Sequence, residues 1–180
     1  LDATQPLEKQ DLSIASKVLE EGRCLVLAVN KWDTVTNPKE TMALIRERLE
    51  ESLQQVKGLP LIQISAKTGK GVKEMMKAVF DVYALWNKRI PTHKLNLFLA
   101  DIKVAHPTPL AKNGRRVPLK YMTQVNARPP TFVIFTSNPD RLPDSYIRYI
   151  SNELRACFGL VGVPIRINLR KRENPYADKE

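Results

Sequence analysis

Glycine is scarce in this 180-residue chain, at 7 residues, and cysteine and histidine are scarcer, at two each. Cys24 and Cys157 lie in apolar stretches far apart in the chain, whereas a disulfide framework or a zinc site needs closer or more numerous ligands. They read as buried free thiols in a reducing cytosol. His93 and His106 have no cysteine or acidic partner at metal spacing, and no Ser/His/Asp or paired-carboxylate constellation stands out, so metal and triad chemistry receive no candidates. No apolar run approaches the ~18 residues of a membrane-spanning helix, and no basic-then-apolar leader opens the chain. The expectation is a cytoplasmic protein with no membrane contact. Leu1-Asp2-Ala3-Thr4 reads as the end of a strand belonging to something longer.

What is present is enough for a folded core: 43% of residues are apolar and 27% charged. The charge is uneven. Residues 1–86 hold 12 Lys+Arg against 12 Asp+Glu, while residues 87–180 hold 17 against 7 and so carry the whole net +10. A composition break of that size predicts two domains, 1–87 and 88–180, divided at Asn87-Lys88-Arg89-Ile90-Pro91-Thr92. Pro91 ends one helix, and Thr92 is placed to cap the next.

In the first domain, spacing predicts a helix from about Glu8, ended by Gly22. The continuous apolar run Cys24–Val29 reads as a strand buried on both faces. Asn37-Pro38-Lys39-Glu40 opens a second helix, with Asn37 as N-cap and Glu40 as capping-box partner. Leu59–Ile64 reads as a second strand. Val72, Met75, Met76, Val79, Val82, Tyr83 and Trp86 give a final helix one apolar packing stripe. The order α-β-α-β-α with buried strands is half of a doubly wound α/β sheet.

Ligands in such sheets bind beyond the carboxyl ends of the strands. One strand ends in Asn30-Lys31-Trp32-Asp33 and the other in Ser65-Ala66-Lys67-Thr68-Gly69. A carboxylate at Asp33 accepts from a ring N–H and an exocyclic amino group together, a donor pair that guanine offers on one edge and adenine does not. Asn30 offers an amide to the other side of a purine, the Lys31 stem lies over the ring, and the Ala66 N–H donates to the guanine O6. Discrimination by such groups is steep, because a wrong base leaves them unpaired. The competing reading is a polar turn after each strand.

These residues resemble the two guanine-recognition motifs of translation-factor-class GTPases. A closer resemblance is to the second GTPase domain of the bacterial Der (EngA) family, carried by Asp2-Ala3-Thr4-Gln5, Gln10-Asp11 and Val29-Asn30-Lys31-Trp32-Asp33. It continues through Pro91-Thr92-His93-Lys94-Leu95-Asn96, Tyr121–Val125, Arg128–Phe132 and Asn174-Pro175-Tyr176. The resemblance implies GTP or GDP as cofactor, with Asn30, Lys31, Trp32, Asp33, Ser65, Ala66 and Lys67 at the nucleotide. It implies two tandem GTPase domains and a C-terminal KH-like domain in the parent chain. It also implies a role in maturation of the large ribosomal subunit.

The phosphate-handling parts of that class are not in this sequence. It holds no Gly-x-x-x-x-Gly-Lys-[Ser/Thr] loop, and Gly69-Lys70-Gly71 has the wrong spacing and context to serve as one. It holds no Asp-x-x-Gly after a strand either. Phosphates and Mg²⁺ would therefore be held only through parts outside this chain, and no catalytic residue is assigned. Pro6 stands where the family often has Gly.

In the second domain, spacing predicts a helix bearing Leu95, Phe98, Leu99 and Ile102, then a loop with Pro107, Pro109 and Gly114. A half-buried strand follows, with Val117, Leu119, Tyr121, Thr123 and Val125 alternating with Lys120, Gln124 and Asn126. Phe132–Thr136 is a core strand. Pro143-Asp144-Ser145 starts a helix with Tyr146, Ile150, Leu154 and Cys157 inward. A final strand alternates Ile165, Ile167 and Leu169 with Arg166, Asn168 and Arg170. The pattern α-β-β-α-β suits a three-stranded sheet backed by helices, an α+β KH-like domain. One sheet face is expected to show Lys120, Gln124, Arg166, Asn168 and Arg170, with Arg115, Arg116, Arg128, Lys171 and Arg172 near its rim. That set predicts contact with RNA phosphates; a solvated polar face and docking to an upstream GTPase domain are the alternatives. Gly159-Leu160-Val161-Gly162 has the Gly-x-x-Gly form of a KH loop but the wrong context, and reads as a helix C-cap followed by a turn.

The expected protein is thus the C-terminal portion of a ribosome-associated GTP-binding protein, reading guanine and contacting ribosomal RNA or the large subunit. The alternative is a non-catalytic RNA-binding module with a remnant α/β half-domain.

Overall fold

A computed structural model describes residues 1–5, 7–53, 56–110 and 116–171. The chain forms two units: Leu1–Asn87 together with Leu160–Pro164, and Lys88–Gly159 together with the chain from Ile165 onward.

The first unit runs α1 (Lys9–Glu20), β1 (Leu27–Val29), α2 (Pro38–Ser52), β2 (Leu61–Gln63) and α3 (Val72–Trp86), with a short 3₁₀ turn at Trp32–Thr34. β1 and β2 pair in parallel, Leu27 opposite Leu61 and Val29 opposite Gln63. On the other side of β1, Leu1–Ala3 lies parallel to its end: Asn30 N donates to Leu1 O at 2.8 Å, and Ala3 N donates to Asn30 O at 2.9 Å. The core gathers Leu7, Ala15, Leu19, Leu27, Val29, Ile45, Leu49, Leu53 and Val56. Val29 and Ile45 are fully buried, each worth about 1.5–3 kcal/mol of removed apolar surface.

Both strands are shorter than the apolar runs predict. Pro60 has no N–H to give a ladder, and its carbonyl accepts from Leu27 N at 2.9 Å, so pairing begins only there. α1 starts with a capping box made by Glu8 and Asp11. At α2, Asn37 is the N-cap and Pro38 the first helical residue, but the Asn37 amide donates to Glu40 Oε2 at 2.6 Å instead of the box forming. The α3 stripe is only partly covered. Val82 is buried, and the Trp86 indole donates to Gly22 O at 3.0 Å, yet Met76, Val79, Phe80 and Tyr83 are exposed. An apolar stripe that broad needs a wider surface than two strands ~4.8 Å apart provide.

The second unit runs α4 (Thr92–Ala105), β3 (Leu119–Asn126), β4 (Thr131–Thr136), α5 (Asp144–Phe158) and β5 (Arg166–Lys171). β4 is central, antiparallel to β3 and parallel to β5. The parallel pair needs a crossover, and α5 supplies it. Leu95, Phe98, Leu99 and Ile102 of α4 are buried with Met122, Phe132, Ile134, Tyr146, Ile150 and Leu154.

Four expectations change here. Pro91 takes the cap position of α4 in extended geometry, and Thr92 is already helical. Cys157 is exposed; Phe158 turns inward instead, packing edge-on to Phe98 with centroids 5.7 Å apart. A register shift between Leu119 and Tyr121 resets the alternation of β3. Leu119 and Met122 therefore face the core, while Tyr121 and Val125 are exposed. Gln124 pairs with fully buried Phe132 and so joins the helix-side row, not the basic face. Gly159 does cap α5 in the left-handed conformation, with φ 64°.

Candidate functional site

The carboxyl ends of β1 and β2 are neighbours because the strands are parallel and in register. Their loops are joined at three levels. Trp32 N donates to Ile64 O at 3.0 Å. Asn30 Oδ1 accepts from Ala66 N at 2.9 Å. Ser65, almost fully buried, accepts from Thr68 N at 3.2 Å, and its side chain hydrogen-bonds to the Asp33 carboxylate. The structure thus brings Asn30, Asp33, Ser65, Ala66 and Lys67 to one edge of the unit.

Asp33 is exposed, and its carboxyl is held below the usual range, first by the Ser65 side chain, then by its own backbone N–H and by the positive charge of Lys67. It remains ionised at neutral pH with acceptor capacity left over, as recognition of two donors requires. The Ala66 N–H, expected to face a guanine O6, is turned to Asn30 instead. Strand ends this close place a side-chain carbonyl within reach of the neighbouring loop amide. Trp32 is half-buried and packs against the core, so its ring anchors the turn.

Lys31 adopts the left-handed conformation, φ 62°, at the entry to the 3₁₀ turn. Its ammonium pairs with Asp2 Oδ2 at 2.6 Å. The other Asp2 oxygen accepts from Thr4 N at 2.9 Å and Thr4 Oγ1 at 2.7 Å. Those bonds, Lys31's first, hold the Asp2 carboxyl well below the usual range. Sequence reasoning gave Asp2 no part in this site. The available signal was an acidic residue ending one strand next to a Lys-containing loop on its neighbour.

The seven-residue connection from Ser65 to Gly71 is tight. Ser65 N donates to Lys70 O at 2.9 Å, and Gly69 N donates to Ser65 O at 2.8 Å. Gly71 sits at φ 78°, and a Cβ there would collide with the Gln63 carbonyl oxygen. Among the described residues no cluster of His, Cys, Asp or Glu could hold a metal ion, and no helix is long and apolar enough to cross a membrane.

Among the described residues, the expected RNA set is divided between the two faces of the sheet and its turns. Arg166 and Arg170 share a sheet face with Asn168, exposed on β5. Lys171 pairs with Thr136 and falls in the opposite row. Lys120 is exposed at the register shift, and Arg128 is exposed in the β3–β4 turn. Arg116 donates to Thr108 O at 3.0 Å. Arg115 and Arg172 lie outside the described residues.

Residues 1–84 match the elongation factor Tu GTP-binding domain family. Residues 89–170 match the KH-domain-like family found C-terminally in EngA bacterial GTPases. The first unit is therefore part of a GTPase-type doubly wound α/β domain, and the second is an α+β KH-like domain. GTPase Der of Allorhizobium ampelinum is 50% identical over 178 residues, 99% of this chain and 37% of its own length. That of Azorhizobium caulinodans is 51% identical over 180 residues, all of this chain and 39% of its own length. The chain belongs to the Der (EngA) family and corresponds to its C-terminal part, spanning somewhat over a third of those relatives. Two solved structures of Era, one from Aquifex aeolicus bound to GDP·AlF4⁻ and one bound to MgGDPNP and a 16S ribosomal RNA segment, cover 98% of this chain and 64% of their own. They are 16% identical, with TM-scores of 0.39 and 0.38, a likeness too loose to carry an argument.

Proposed function

We propose that this chain supplies the guanine-reading half of a GTP-binding site together with an RNA-contacting KH-like domain, in a cytoplasmic protein that acts in large-subunit ribosome assembly. The observation that carries the reading is the joining of the two loops: ionised Asp33, fixed by Ser65, stands beside Asn30 and Ala66. Asp33 accepts the ring and amino hydrogens of guanine. Asn30 and Ala66 lie where a purine's other edge would come, and a bound O6 would compete with Asn30 Oδ1 for the Ala66 N–H. Lys31, tied at its head by Asp2, presents its stem to the ring plane. Trp32 positions the turn, and Lys67 supports the charge of Asp33. Bound GTP or GDP would supply the phosphates, which with Mg²⁺ would be held by an upstream part of the GTPase domain. The excess positive charge beyond residue 87 supports contact with ribosomal RNA.

The decisive experiment is Asp33→Asn in a Der-length chain carrying this sequence. An amide can donate to the carbonyl that xanthine has in place of the guanine amino group, so competition between GDP and XDP should reverse in favour of XDP. Mismatched hydrogen bonds in such sites shift selectivity by 10⁴–10⁵ in favourable cases, about enough to invert the ranking. Unchanged preference would show that Asp33 does not face the base.

A further inference from the structure

The geometry points to a base-stacking platform for single-stranded RNA on the face of the KH-like sheet that carries Tyr121 and Phe135, with Arg170 in their row and Arg166 two rows along. The inference rests on the RNA-contact reading and specifies the kind of RNA.

The register shift in β3 turns Tyr121 out of the core and into one row with Phe135 and Arg170. The Tyr121 and Phe135 rings lie 5.9 Å apart, tilted by 46°. Tyr121 is 43% exposed, Phe135 is half-buried and Arg170 is exposed. The next row is Thr123, Val133 and Asn168, with Val133 buried, and the one after it includes Thr131, also buried, and Arg166, so the accessible aromatic surface is the ring row itself. Exposed aromatic rings on a sheet face are unfavourable in water unless something covers them. Here they lie beside cations in the half of the chain that carries the whole net positive charge. A nucleobase offers a flat π-face to the rings, and its phosphates offer negative charge to the arginines. Arg166 and Arg170 stand four residues apart on β5, roughly 13 Å along the strand. Arg170 is thus level with the rings, placed for the phosphate of a base lying on them, and Arg166 is placed for a phosphate further along the same strand. A duplex keeps its bases stacked on one another and presents mainly phosphate and sugar, so it cannot use the rings.

The test uses the whole 180-residue chain and two fluorescein-labelled RNAs of equal length, oligouridylate and a fully paired duplex, each titrated at two salt concentrations. Wild type should prefer the single strand. Tyr121→Leu should weaken single-strand binding about fivefold or more, leave duplex binding and the salt slope unchanged, and be rescued by Tyr121→Phe. Arg170→Gln should instead weaken both RNAs and flatten the salt slope by about one. Thermal unfolding of each variant checks that the fold persists, and Tyr121 is exposed enough for leucine to be accommodated. If Tyr121→Leu lowers thermal stability but not single-strand affinity, the ring pair only stabilises the sheet; the stacking inference is then overturned while RNA contact stands. If wild type binds neither RNA, both readings fall.

Discussion

Asn96 on α4 satisfies both free backbone groups of Met122 on β3: its Oδ1 accepts from Met122 N at 3.0 Å, and its Nδ2 donates to Met122 O at 3.0 Å. β3 is an edge strand, and this one amide acts as a short stretch of missing neighbour. Two residues along the strand, the Gln124 side chain holds the 88–90 segment to β3, accepting from Ile90 N at 2.8 Å and donating to Lys88 O at 2.9 Å. Edge strands left bare invite pairing with other chains.

Asn96→Ala should therefore destabilise the KH-like unit by about 2 kcal/mol, the cost of stranding a buried donor and acceptor. Asn96→Asp keeps the acceptor and loses the donor, so it should fall between wild type and alanine. Urea unfolding of the three proteins checks the order; equal midpoints would mean that water replaces the amide at no cost.

Gly71→Ala is expected to cost about 2–4 kcal/mol. It combines a left-handed backbone that alanine resists with a collision against the Gln63 carbonyl oxygen. Gly69 has a similar φ, 77°, but open space around it, so Gly69→Ala should cost only the backbone part. Thermal unfolding of the pair separates strain from collision.

The Asp2–Lys31 pair should be insensitive to pH across the neutral range. The folded Asp2 carboxyl lies below its ordinary value of 3.8, so its contribution is fully present above about pH 4 and is lost as pH falls through the lowered value. Comparing wild type with Asp2→Asn by NMR of the Lys31 amide should show a constant difference from pH 8 to 5, vanishing only in strong acid. A change near pH 6 would contradict this pairing.

The 180-residue chain alone should show no measurable GTP turnover. Phosphoryl transfer depends on positioning and charge stabilisation by a phosphate loop and Mg²⁺ ligands, and the sequence holds neither motif. Phosphate release assayed on rigorously purified protein decides it; turnover that co-purifies through every step would refute the expectation.

The order of elements was legible because helical period and buried strands are local signals. The Asn30-Lys31-Trp32-Asp33 and Ser65-Ala66-Lys67 loops were legible because chemistry and strand ends coincide. Three things were not. The face of β3 depends on a register shift that no spacing reveals, so alternation alone puts Tyr121 inward and Gln124 outward. The start of β1 depended on the proline just before the partner strand, a non-local effect. The Asp2–Lys31 pair joins residues 29 positions apart, brought together only by sheet pairing.

The ties among Asn30, Ala66, Ser65, Thr68 and Asp33 are made entirely between groups of this chain. A loop ordered by its own bonds gives up little freedom when a base arrives, and the exchange it has to make is local, the Ala66 N–H passing from Asn30 Oδ1 to the base. Discrimination between purines in such a site should then appear mainly as residence time: guanine and a near-isosteric competitor should associate at similar rates and leave at very different ones. Stopped-flow traces, more than equilibrium constants, are where the contribution of these two loops should be read.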